Sequence, residues 1–138
     1  MTTVRAQLAL AGTTLLLLAF LLVGLPTHSG AAELEGVVAT AAFFKEFQDD
    51  AKVATEKYKG KRLVLQGEVG RVKMIFDNEP ELIFDINPMH TIVCFFPHRA
   101  AKELRDLQPG TTVLVSGFLL RAETNSVILT RCQFVPAQ

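Results

Sequence analysis

His90, Cys94 and His98 recur at steps of four, a spacing that on a helix would turn two imidazoles and a thiolate toward one zinc ion. The stretch from Thr91 to Phe96 is instead β-branched and aromatic and is closed by Pro97, so it reads as a strand. Four residues of strand cover about 13 Å, whereas the ligands of one zinc sit about 2.0–2.3 Å from it. No metal or other cofactor is expected. Hydrolysis would need a nucleophile beside a base, or two carboxylates facing across a cleft. Glu68, Asp77, Glu79, Glu81 and Asp85 scatter near strand ends instead, and there is no serine on a strand-to-helix turn. The chain is not read as an enzyme, and no catalytic residue is expected.

The elements that would carry these side chains follow from periodicity. Leu34, Val37, Ala41, Phe44, Ala51, Ala54 and Tyr58 recur at steps of three, four or seven, which predicts one amphipathic helix over 33–58. Gly60 stops it. From Arg62 the period becomes two. Leu63, Leu65, Gly67 and Val69 alternate with Val64, Gln66, Glu68 and Gly70, the pattern of a half-buried strand with glycines at its bends. A turn over Asp77 to Pro80 leads to a second strand at Leu82–Ile86, and Asn87-Pro88 leads to a third at Thr91–Phe96. His98–Leu107 returns to helical spacing. Strands at Thr111–Leu120 and Val127–Val135 follow, joined by the polar turn Glu123–Ser126. Three strands, a short helix and two strands is the order of a five-stranded OB Greek-key barrel, mainly β with a leading helix. An open sheet with helices on one face, or another small barrel, fits the same order.

Ahead of this domain, Arg5 is the one charge before an uncharged stretch from Leu8 to Leu25, followed by Pro26 and the small residues Ser29 to Ala32. That is the pattern of a secretion signal cleaved after Ala32, or after Ala31 as a second choice. The alternative is an uncleaved anchor, since the apolar run reaches the lower end of the roughly 17–25 residues a spanning helix needs. The expected division is a leader over 1–32 and an OB domain over 33–138, exported to the periplasm or outside the cell. Membrane contact would come only through the leader, if it is retained. Lipid attachment at the cleavage site is excluded, because the first cysteine is Cys94.

An oxidising compartment bears on the two cysteines. In an OB topology the third and fifth strands are neighbours, and Cys94 and Cys132 fall near the middle of each, so a disulfide between them is expected. The alternative is a pair of buried thiols acting as small hydrophobes.

The chain resembles the tRNA-anti-like OB-fold proteins of bacterial envelopes. The likeness lies in Ala54-x-x-x-Tyr58-Lys59-Gly60-Lys61 leading into Leu63 to Val69, and in Ile92 to Phe96. It continues in Leu107-x-Pro109-Gly110-x-x-Val113-x-Val115-x-Gly117 and in Val127-Ile128-Leu129-x-x-Cys132. The resemblance implies an OB barrel behind a signal or lipoprotein leader, and little about activity.

An extracytoplasmic OB domain without catalytic residues reads as a binding module. The leading expectation is capture of an envelope protein, peptide or glycan by the loop between the first two strands and the loop before the last, through Lys73, Phe76, Asn78, Arg121 and Asn125. A structural role within an envelope complex, docking through the helix at 33–58, comes second. Nucleic acid comes third. Phe84, Phe95 and Phe96 could stack bases, with Lys73, Arg99, Arg121 and Arg131 around them. Against it stand 14 basic and 14 acidic groups in balance, where binders of polyanions usually show a strongly basic face.

Overall fold

Alternation produces the sheet where it was expected, but the ladder is longer and joined differently. The computed structural model describes residues 36–76 and 79–136. In chain order these form β1 (Val38–Ala39), α1 (Thr40–Tyr58), β2 (Arg62–Glu68), β3 (Arg71–Ile75), β4 (Glu79–Asn87) and β5 (His90–Phe95). A 3₁₀ turn (His98–Ala100), α2 (Ala101–Arg105), β6 (Thr112–Ala122) and β7 (Ser126–Phe134) complete it. The leader expected over 1–32 lies outside the described residues.

The seven strands form one sheet in the order β1-β2-β6-β7-β5-β4-β3. β4 and β5 pair antiparallel, as do β6 and β7, while β5 and β7 run parallel. This is an OB-like arrangement, mainly β with two helices. The closed five-stranded barrel is corrected to an open seven-stranded sheet. The expected first strand ends at Glu68 as β2, and a further strand that was not expected, β3, follows it, the two leaving the ladder in opposite directions at Val69 and Gly70. The Val69 N–H donates to Thr111 O at 2.8 Å, beside β6, and the Gly70 N–H donates to Ile83 O on β4 at 2.9 Å. A short covalent bend therefore links strands that stand far apart in the sheet order. A Cβ at Gly70 would lie 2.9 Å from the Asp85 backbone nitrogen, so only glycine lets the bend pass this close to β4.

The single helix over 33–58 is corrected too. Helical geometry begins at Thr40, and Val38–Ala39 instead pairs in parallel with Leu65 and Gln66. The helix breaks at Asp50 (φ −156°, ψ 97°). There the Asp50 carboxylate accepts the N–H groups of Lys52 and Val53, each at 3.0 Å, and caps the second half. The break shifts the apolar stripe. Phe43, Phe44, Phe47, Ala54 and Tyr58 enter the core, whereas Val37, Ala41 and Ala51 are exposed. Glu46 ties the two halves together, accepting Lys57 Nζ at 2.7 Å and Tyr58 Oη at 2.8 Å. The hydrogen bond from Lys57 holds the Glu46 carboxyl below the usual carboxylate range. The second helix is also shorter than expected, a 3₁₀ turn running into five α-helical residues that bury Ala101 and Leu104.

The core joins these phenylalanines to Leu63, Leu65, Leu82, Phe84, Ile92 and Leu129. Truncating a ring such as that of Phe43, which has no exposed surface, would cost about 3–5 kcal/mol. The expected disulfide is absent: Cys94 and Cys132 are free and buried. The parallel register sets Leu129, not Cys132, across from Cys94, so the backbones do not bring the two Cβ atoms into bonding position. The thiols are nevertheless neighbours, and burial first, then Cys132, pushes the Cys94 thiol well above its ordinary pKa.

Candidate functional site

Because side chains alternate across each strand, the register places Phe84, Leu82 and Cys94 inside and their chain neighbours outside. Two outward rows result. One runs Arg71, Ile83, Val93, Ile128, Arg121 across β3, β4, β5, β7 and β6. The other begins Lys73, Glu81, Phe95 and, beyond β5, continues through Thr130 on β7, Phe118 on β6 and Arg62 on β2.

The second row opens into a groove of about 680 Å³, whose lining includes Arg62, Glu79, Phe95, Arg99, Phe118 and Arg131. Phe95 and Phe118 are half-buried in its wall. The Arg131 guanidinium lies 4.4 Å from the Phe118 ring centroid, a cation–π contact. A bulge aims it there. The β6–β7 register shifts between Ser116 and Phe118, and Arg131 takes a left-handed backbone (φ 52°) that a side-chain-bearing residue adopts only at a cost. Gly117 faces this bulge, where a Cβ would come 2.8 Å from Cys132 Sγ. Arg62 donates to the Ser116 hydroxyl at 3.0 Å. Among the described residues, none of Arg62, Arg99 and Arg131 forms a salt bridge with a carboxylate.

The residues singled out from sequence are dispersed. Lys73 faces Glu81 across the ladder, and Arg121 donates to Glu123 at 2.6 Å. That bond holds the Glu123 carboxyl below the usual carboxylate range. Four ladder steps, about 19 Å along the sheet, separate β3, which carries Lys73, from β6, which carries Arg121. Phe76, 93% exposed, follows β3 with a left-handed backbone (φ 39°). Asn125 sits at the turn before β7, its carbonyl accepting the Thr91 N–H at 3.0 Å. Asn78 lies outside the described residues. These positions do not converge on one site.

Of the aromatic set, Phe84 and Phe96 are buried, while Phe95 faces the groove. Arg99 and Arg131 reach it; Lys73 and Arg121 do not line it. Arg62 and Phe118 were missed. The sequence signals for them are slight: a strand-opening arginine, and a phenylalanine directly after a strand glycine. His90, Cys94 and His98 separate as well, with His90 against the Phe44 ring and Asn87, Cys94 in the core and His98 exposed.

The fold has counterparts among solved structures. One, from Klebsiella pneumoniae, is described as a "putative nucleic acid-binding lipoprotein". It aligns over 81% of this chain and 100% of its own, with 15% identity and a TM-score of 0.61. Asparaginyl-tRNA synthetase from Pyrococcus horikoshii aligns over 59% of this chain and 21% of its own, with 15% identity and a TM-score of 0.40. The enzyme from Entamoeba histolytica aligns over 58% of this chain and 22% of its own, at 8% identity and a TM-score of 0.41. None of the curated proteins compared matches the chain. Residues 6–133 match the tRNA-anti-like family, and the chain belongs to it.

Proposed function

We propose that the chain binds short single-stranded nucleic acid across the groove between β5, β7, β6 and β2. The observation that carries this reading is the groove's composition. Two outward phenylalanines lie among three arginines, none of which forms a salt bridge with a carboxylate among the described residues, although Glu79 also lines the groove. Stacking on an aromatic ring contributes about 1–3 kcal/mol per base and tolerates any sequence, while arginines track the phosphates. The name of the Klebsiella protein of the same fold supports the reading. The ranking from sequence is thereby reordered, because no comparison points to an envelope protein or glycan.

Three arginines set the scale. Each phosphate neutralised on a single strand contributes about −0.7 to the slope of log K against log salt, so a slope near −2 is expected. Fluorescence anisotropy with a labelled thymidine decamer, from low to physiological salt, measures it. Replacing Phe95 and Phe118 together by alanine should weaken binding by at least tenfold. Unchanged binding in that variant, or no binding at low salt, would return the domain to the protein or glycan reading.

Export is part of the proposal, supported by the apolar stretch from Leu8 to Leu25. No helix among the described residues is long and apolar enough to cross a membrane. Mass measurement of the mature N-terminus decides whether the leader is removed, with Glu33 as the expected first residue.

A further inference from the structure

Glu81 is the one buried acidic residue among the described residues, 7% exposed on the outward face of β4. In the register it stands between Lys73 on β3 and Phe95 on β5. Lys73 acts on it through charge, and no hydrogen-bond donor reaches its carboxylate among the described residues. The carboxylate keeps some contact with water, since no fully buried side-chain oxygen among the described residues lacks a partner, and partial burial pushes its pKa up. Its neighbours in the fold supply an aromatic platform and a positive charge, but not the hydrogen bonds.

We infer that Glu81 selects guanine at the position stacked on Phe95, an inference that rests on the nucleic-acid reading above. Cross-strand neighbours hold their Cβ atoms about 4.5–5.5 Å apart, so a base lying on the Phe95 ring brings its edge to the Glu81 carboxylate. An ionised carboxylate only accepts, through two oxygens side by side. Guanine offers two adjacent donors on its pairing edge, the N1–H and the 2-amino group, and fills both oxygens. Adenine and cytosine each present one amino group beside a ring acceptor, which would face the second oxygen. Thymine and uracil present one N–H between two carbonyls, and both carbonyls oppose a carboxylate.

The experiment compares thymidine pentamers carrying guanine, inosine, adenine or thymine at the centre, titrated into the full chain. Guanine is expected to bind about tenfold more tightly than thymine, the scale of one good bidentate contact. Inosine, which lacks the 2-amino group, should lose most of that advantage. Glu81→Gln should bring guanine and thymine together while leaving the all-thymidine pentamer as tight as before or tighter; a thermal melt confirms that the variant is folded. Glu81→Ala serves as a second variant with the same expected loss. Equal affinity of the wild type for guanine and thymine would overturn the inference and leave the groove reading intact. Failure of every pentamer to bind would remove the groove reading itself.

Discussion

Two stretches of the same outward surface carry similar numbers of basic groups and use them in opposite ways. Across β3, β4 and the β6–β7 turn, cations are matched to acids: Arg71 to Asp85 at 2.8 Å, Arg121 to Glu123 at 2.6 Å, and Lys73 beside Glu81. Around Phe118, Arg62 hydrogen-bonds a hydroxyl and Arg131 covers a ring, so their charge stays available. The difference explains how a chain with 14 basic and 14 acidic groups can still carry a local cluster of arginines outside any described salt bridge. Exposed ion pairs contribute little to stability, typically under about 1 kcal/mol, but they cancel the field that would draw a phosphate. Total charge is a property of composition; available charge is a property of pairing.

The contrast can be broken most strongly within the groove. Removing Arg131 and Phe118 together should weaken oligonucleotide binding by at least tenfold, while Lys73→Ala with Arg121→Ala should change it less than twofold. Anisotropy titrations at one low salt concentration compare the two double variants, and equal losses would erase the distinction drawn here. A smaller effect tests the converse. Glu123→Gln releases Arg121 and Asp85→Asn releases Arg71, so each should raise affinity about two- to threefold and steepen the salt slope by up to about 0.7.

The smallest effect belongs to the far side of the domain. Glu46→Gln loosens the tie across the α1 break and should lower stability by about 1 kcal/mol or less, without altering binding. Because the folded-state Glu46 pKa is depressed, its contribution is present above the unfolded carboxylate pKa. It is lost as pH falls through the folded value. Glu81 has the opposite sign. With a raised pKa, it weakens the fold as pH rises from the unfolded value through the folded one, so Glu81→Gln should stabilise the protein at neutral pH. Urea melts at pH 4 and pH 7 separate the two.

Much of the fold was legible because periodicity is local. Arg62 to Glu68, Thr91 to Phe95 and Thr112 to Leu120 alternate and are strands, and their order suffices for an OB-like sheet. The helix break was not legible. Asp50 looks like one more polar residue on a solvent face until its carboxylate is seen capping Lys52 and Val53. The sulfur pairing failed for a related reason. Strand adjacency was inferred correctly, but register was not, and a slip of a few residues separates bonded from unbonded cysteines.

Taken alone, the order of residues determined which segments extend, which coil and where glycine permits a bend. These depend on contacts within a few residues. Which outward side chains meet was decided only by tertiary structure. Arg62 and Phe118 are far apart in sequence and face each other because β2 pairs with β6. Arg131 reaches the Phe118 ring because a bulge turns its backbone. Long-range pairing and one strained residue built the groove, and neither leaves a periodic trace in the sequence.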